Sequence, residues 1–204
     1  MPVKHSLKTT ITTNAKELLQ HKTLDKLTVS EISKSCAMTR QIFYHYFTDK
    51  YDLVKMIYQQ DYLSVVQTMH GQVHFLDLLY QLFLLIQEHS AFYKNTLFSM
   101  ETSTRCNPMK EHLSVILSSL VTNQQQSQLP PEIHSDLSFT IEFYCSGIIS
   151  CIKSNLIQKD NRDLTSLISE IGSCSPALLH PFIYEHTIST EQLACIKLQS
   201  DSDD

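Results

Sequence analysis

The sequence predicts an all-helical protein, and three observations carry that expectation. Its 204 residues include only three glycines, so turn formers are scarce. Alternating runs of β-branched residues are few. Apolar residues instead recur three and four apart along most of the chain, the spacing of one helical face. The composition, 42% apolar and 18% charged with no tryptophan, is that of a globular chain large enough to bury a core. No apolar run reaches the roughly 18 residues of a membrane span. The start, "MPVKHSLKTT", lacks the apolar stretch of a secretion signal, so a cytoplasmic protein without a membrane partner is expected. The six cysteines (36, 106, 145, 151, 174 and 195) form no CxxC pair and are expected to be reduced, mostly buried thiols.

The first helix runs from Ser6 to Gln20, with Leu7, Ile11, Ala15, Leu18 and Leu19 on one face. "HKTLDKL" interrupts it. Thr28 and Glu31 then have the spacing of a capping box, in which a hydroxyl and a carboxylate each satisfy an unpaired backbone amide. The helix they open, Val29 to about Ser35, should bury Val29 and Ile32. "CAM" is a tight connection, and Thr39 is a good cap for the next helix. Helix, helix, short turn and helix therefore fill the first 47 residues, and the last two helices form a helix-turn-helix.

The last of these helices is dense in aromatics: "TRQIFYHYF", Thr39 to Phe47. Ile42, Phe43 and Tyr46 or Phe47 can face inward, which leaves Thr39, Arg40, Gln41, Tyr44 and His45 near its start or on its outer face. A guanidinium can bond guanine through two donors, and a Gln amide can do the same to adenine. The Tyr44 hydroxyl and the Lys50 ammonium suit phosphate oxygens, which fix register without reading sequence. Charge agrees. Through residue 55 there are nine Lys and Arg against five Asp and Glu, and from 56 onward seven against sixteen. A basic head on an acidic body suits a polyanionic partner, although uneven solvated charge gives the same count.

Residues 27 to 54, "LTVSEISKSCAMTRQIFYHYFTDKYDLV", resemble the DNA-binding signature of TetR/AcrR transcriptional regulators. The match runs through Thr28, Val29, Ile32, Phe43, Tyr44, His45, Tyr46, Phe47, Lys50 and Leu53. Three positions depart from the pattern: Ala37 replaces the turn glycine, Cys36 the usual small residue, and Lys22 the glycine after the first helix. Ala37 costs roughly 1 kcal/mol if its φ is positive. The resemblance implies a DNA-binding set of Thr28, Thr39, Arg40, Gln41, Tyr44, His45 and Lys50. It also implies a one-component regulator that binds a near-palindromic operator as a homodimer under effector control. More weakly, "FYKNTL" (92–97) and "IEFYCSGIISCIKSNLI" (141–157) resemble the branch that includes regulators of dihydroxyacetone-kinase operons; Asn155 stands where that branch commonly has Trp.

The remaining elements are helices too. Asp49 to His70 carries Leu53, Ile57, Leu63 and Val66, joining head to body. Phe75 to Glu88 has a wide apolar stripe that calls for burial on several sides. Asn107-Pro108 caps a helix to about Asn123, and "NQQQSQLPP" is the clearest loop. A long helix follows from about Glu132 to Gln158, then a shorter one from Asp163 to Ile171 and a final turn or two from Ser175-Pro176. The expected organisation is a DNA-binding head at 1–52, a helical effector and dimerisation domain at 53–198, and a disordered acidic tail at 199–204.

Within the body, Ser146, Ser150 and Ser154 recur every four residues beside Gly147, a narrow strip across which helices can approach closely. A helix dimer of the kind that family uses would fit this strip; an ordinary exposed face would look alike. Phe75, Leu79, Phe83, Phe92, Tyr93, Phe139, Phe143 and Tyr144 can line an effector pocket or simply fill the core. No phosphate-binding glycine loop, GxSxG or HExxH occurs, so neither enzyme nor cofactor is expected. His70 and His74 are four apart, the candidates for a zinc-responsive variant, although Gly71 interrupts them. Cys174, His180, His186 and Cys195 match no standard metal spacing. The expected partners are an operator duplex, a second copy of the chain, and an organic effector or protein. The rival is an interaction protein that has lost DNA binding.

Overall fold

The computed structural model describes residues 7–104, 107–125, 131–158 and 163–196. Its elements, in order, are α1 (Leu7–His21), a 3-10 turn (Leu24–Lys26), α2 (Val29–Ser35), α3 (Arg40–Tyr46), α4 (Lys50–Thr68), β1 (Gln72–His74), α5 (Phe75–Glu88) and α6 (Ser90–Thr104). Then come α7 (Pro108–Gln125), α8 (Pro131–Gln158), α9 (Leu164–Ser173), α10 (His180–Tyr184), β2 (Thr187–Ser189) and α11 (Thr190–Cys195). The all-helical expectation holds. Cys106, most of the "NQQQSQLPP" loop and the acidic tail lie outside the described residues.

Two compact units result, one drawn from residues up to 60 and from 89–107, the other from 61–88 and 108–198. In the first, α1 buries Ile11, Ala15 and Leu19 beside Leu24, Leu27, Ile32, Phe43 and Phe47. Val29, expected inside, is only half-buried, because a helix of two turns sends Ile32 and Ser33 inward instead. The sequence reading passed over α6, whose inner face is unusually polar. Thr96 and Ser99 are buried there, with the Thr96 hydroxyl 2.6 Å from that of Tyr58 and Ser99 donating to Asp25 at 2.8 Å. Asn95 donates to the Leu19 carbonyl at 2.9 Å, satisfying one of the acceptors orphaned at the end of α1. A helix so fastened to α1 shows little apolar periodicity.

In the second unit, α5 buries Phe75, Leu78, Leu79, Phe83 and Ile86, and α8 buries Ile141, Tyr144, Cys145, Ile148 and Ile152. Tyr144 donates to the Ile171 carbonyl at 2.8 Å, fixing α8 to α9. Gly172 lets α9 close on α5 and α10: a Cβ there would lie 2.9 Å from a Leu76 methyl and closer still to the Tyr184 hydroxyl. β1 and β2 pair antiparallel with Val73 opposite Ile188. This ribbon was not expected, since each strand has three residues and its partner is over a hundred positions away. Gly71, at φ 71°, ends the α4 path as its place between His70 and His74 suggested. α11 opens with a second capping box, Ser189 with Gln192. Of the five described cysteines, Cys145 alone is buried; Cys174 and Cys195 are exposed. Burial raises the Cys145 thiol to about 11, so it remains a neutral hydrophobe.

Candidate nucleic-acid interface

The helix-turn-helix is built from α2 and α3, and each is capped by its own sequence. The Thr28 hydroxyl accepts from the Glu31 amide at 3.3 Å, while a Glu31 oxygen accepts from the Thr28 amide at 2.9 Å and its hydroxyl at 2.8 Å. Lys22 completes the clamp, its ammonium 2.6 Å from the other Glu31 oxygen. The Lys22 hydrogen bond, with those from Thr28, holds the Glu31 carboxyl down at about 2, so the clamp stays ionised in any ordinary buffer. Between the helices Ala37 sits at φ 50°, a left-handed conformation that a glycine would adopt without strain. Met38 donates to the Ser33 carbonyl at 2.9 Å and closes the turn.

Thr39 caps α3, its hydroxyl accepting from the Ile42 amide at 3.4 Å. Within α3 only Phe43 is buried; Phe47, just beyond, packs with it at 5.6 Å between ring centres. Arg40, Gln41, Tyr44 and His45 are all exposed, as are Thr28 and Thr39 at the two helix starts. The outward set is wider than the sequence suggested. Ile42, expected inside, and Tyr46, the alternative to the buried Phe47, are each 38% exposed. At roughly 100° per residue Ile42 points well away from Phe43 and Phe47, whereas Tyr46 lies only about 60° from Phe43, so helical spacing accounts for the first and not for the second.

Lys50, expected to suit a phosphate, also has partners within the chain. Its ammonium donates to three backbone carbonyls, Leu24 at 2.8 Å, Leu27 at 3.0 Å and Asp25 at 3.1 Å. All three carbonyls lie at or just after the 3-10 turn, so this cation braces the head from within. Asp49 caps the start of α4 through the amides of Tyr51 and Asp52, both at 2.8 Å.

The residues expected to line an effector pocket divide between the two units and the surface. Phe75, Leu79 and Phe83 fill the core of the second unit, and Phe92 and Tyr93 pack on Tyr58 within the first. Phe139 and Phe143 lie on the surface, each 70% exposed and stacked 6.2 Å apart. The alternation of α8 explains it: inward Ile141, Tyr144 and Ile148 force these two rings outward. Cavities of about 480 and 790 Å³ in the second unit are lined by other residues, Thr68, His70 and Asp77 in one and Val115, Ile188 and Gln192 in the other. Ser146, Ser150 and Ser154 are all exposed, with Gly147 between them. The Ser146 hydroxyl donates back to the Glu142 carbonyl at 2.8 Å, which removes its demand for a partner. His70 is exposed and His74 half-buried, and among the described residues no three His, Cys, Asp or Glu side chains converge as metal ligands would. His180 instead meets the Ser175 hydroxyl at 2.9 Å, and His186 packs on Phe182.

A helix-turn-helix with a polar outer face, carried on a helical body, defines a class of DNA-binding regulators. Comparison with known families agrees. Residues 11–57 match the model for bacterial regulatory proteins of the tetR family, and residues 74–171 match that for a transcriptional regulator C-terminal region. The chain belongs to the TetR/AcrR family of transcriptional regulators. Similar solved structures include the dihydroxyacetone kinase operon activator DhaS, at 18% identity over 89% of this chain and 98% of that one, with a TM-score of 0.54. A tetR-family regulator from Streptomyces coelicolor shares 17% identity over 81% of each chain, at a TM-score of 0.53. The fatty acid degradation regulator FadR from Bacillus halodurans shares 15% over 83% and 94%, at 0.52. These likenesses establish the fold. Comparison with curated proteins gives no match.

Proposed function

We propose that the protein binds a near-palindromic operator as a homodimer through its head, residues 1–52, and that a ligand or partner at the rest of the chain controls that binding. The observation that carries the reading is α3, which turns Arg40, Gln41, Ile42, Tyr44 and His45 outward around one buried Phe43. Those side chains supply the donors and acceptors that base edges and phosphates require. Retention of the fold for protein contact alone would not call for this set. Dimerisation is supported by the outer face of α8. Phe139 and Phe143 lead into Ser146, Gly147, Ser150 and Ser154, and Ile157 follows at 53% exposed. An apolar patch beside a strip of small residues is what a second, equivalent helix would cover.

An organic ligand or a protein partner ranks ahead of zinc as the controlling signal, because among the described residues the His and Cys side chains do not converge. Selection of duplexes from a random pool by the purified protein tests the reading. Enrichment of a sequence with inverted half-sites is expected. Recovery of the starting pool, with binding that depends on salt alone, would leave an interaction protein as the better account.

A further inference from the structure

We propose that Ile42 is a specificity-determining residue that packs against the C5-methyl group of a thymine in the major groove. The inference rests on the DNA-binding role given above. At roughly 100° per residue, Gln41, Ile42 and His45 leave α3 on the side opposite Phe43 and Phe47. Gln41 and His45 are hydrogen-bonding groups. Ile42, 38% exposed, is the purely apolar member of that face. An isolated surface isoleucine is ordinary, but this one stands in the middle of the surface that would enter the groove.

Its chemistry restricts what it can meet there. Without a donor or acceptor it would leave the N7 of a purine or the amino group of cytosine buried and unsatisfied. Thymine alone presents a methyl group on the major-groove edge. Ile42 is also held in place before any contact forms. Its amide is bonded by the Thr39 hydroxyl at 3.4 Å, and branching at Cβ restricts its χ1 rotation. Arg40 and Gln41 can read purines through hydrogen bonds, and Ile42 supplies the readout that hydrogen bonding cannot: thymine against cytosine at one position.

Deoxyuridine pairs as thymidine does and lacks only the methyl group, so it probes the contact without changing the protein. An operator is selected with the wild-type protein, its thymines are replaced singly by deoxyuridine, and affinity is read by fluorescence anisotropy. One thymine in each half-site should show a loss of about three- to tenfold, the range for unburying a methyl group. At that position Ile42→Ala should bind thymine and deoxyuridine alike, and Ile42→Val should keep part of the preference. If every thymine can be replaced without weakening the wild type, or if Ile42→Ala retains the full penalty, the inference is wrong while DNA binding stands. If selection yields no preferred sequence, the proposed function fails and this inference goes with it.

Discussion

Lys50 shows how a cation in a DNA-binding signature can also brace the fold that carries the site. Three carbonyls around the 3-10 turn converge on its ammonium. Lys50→Ala should therefore lower the stability of the head by about 1–3 kcal/mol, the worth of hydrogen bonds to a charged group. The salt dependence of DNA binding should stay nearly unchanged, and thermal melts beside a salt titration separate the two roles. Ala37 gives a prediction of opposite sign. Its φ of 50° disfavours any side chain, so Ala37→Gly should raise stability by about 0.5–1 kcal/mol in urea melts. Both residues were legible in the sequence as positions of interest. The Ala37 strain could be foreseen because the family pattern it resembles places a glycine at that turn. The Lys50 role could not, since its partners lie over twenty residues away and spacing says nothing of a long side chain's reach. The capping pairs Thr28–Glu31 and Thr39 were read correctly because their partners are three residues distant.

Among the elements, those with local causes were the readable ones. α1, α2, α5 and α7 announce themselves by caps and by apolar spacing, and α9 by its Asp163 cap. The β ribbon and α11 depend on distant pairing. Two buried side chains hold α11 in place: Tyr62 donates to the Leu193 carbonyl at 3.0 Å, and His112 Nε2 donates to that of Ile196 at 3.3 Å. The His112 ring also packs on Tyr62 at 4.0 Å. Burial, opposed by the Ile196 hydrogen bond, lowers the His112 pKa from 6.5 to about 4. The folded protein therefore binds this proton less readily than the unfolded chain. The resulting stability is fully present above pH 6.5 and is lost as pH falls towards 4, an effect of order 3 kcal/mol. Denaturation followed from pH 7.5 to 4 should show this decline, and His112→Gln should flatten it. On α8, the small-residue strip was readable, whereas the exposure of Phe139 and Phe143 was not. An aromatic fits core and interface equally well, and only the inward choice of Tyr144 and Ile148 decides. If this face is the dimer contact, Ser150→Arg should shift the protein to monomer in light scattering with its circular dichroism kept. An intact dimer in that variant would move the interface elsewhere.

In the proposed dimer, two equivalent subunits related by a two-fold axis would present two α3 helices, and such a pair would match an operator whose halves are inverted copies. A basic head suits the phosphates, and an acidic body does not compete for them. The family, and with it the helix-turn-helix, was legible from residues 27–54 alone. A ligand site was not, because pocket walls come from side chains scattered over many elements, and an aromatic residue suits core, surface and pocket alike; Phe83 is buried and Phe143 exposed. Sequence reading by α3 is tested by the affinity of wild type and Arg40→Ala for a selected operator and its scrambled counterpart at one fixed salt concentration. The wild type should prefer the operator by about 10³-fold or more. Arg40→Ala should lose roughly 1–3 kcal/mol of that preference per half-site base pair it reads, with scrambled DNA bound only slightly less well. Equal affinity of the wild type for both duplexes, or an operator preference unmoved by Arg40→Ala, would contradict the account.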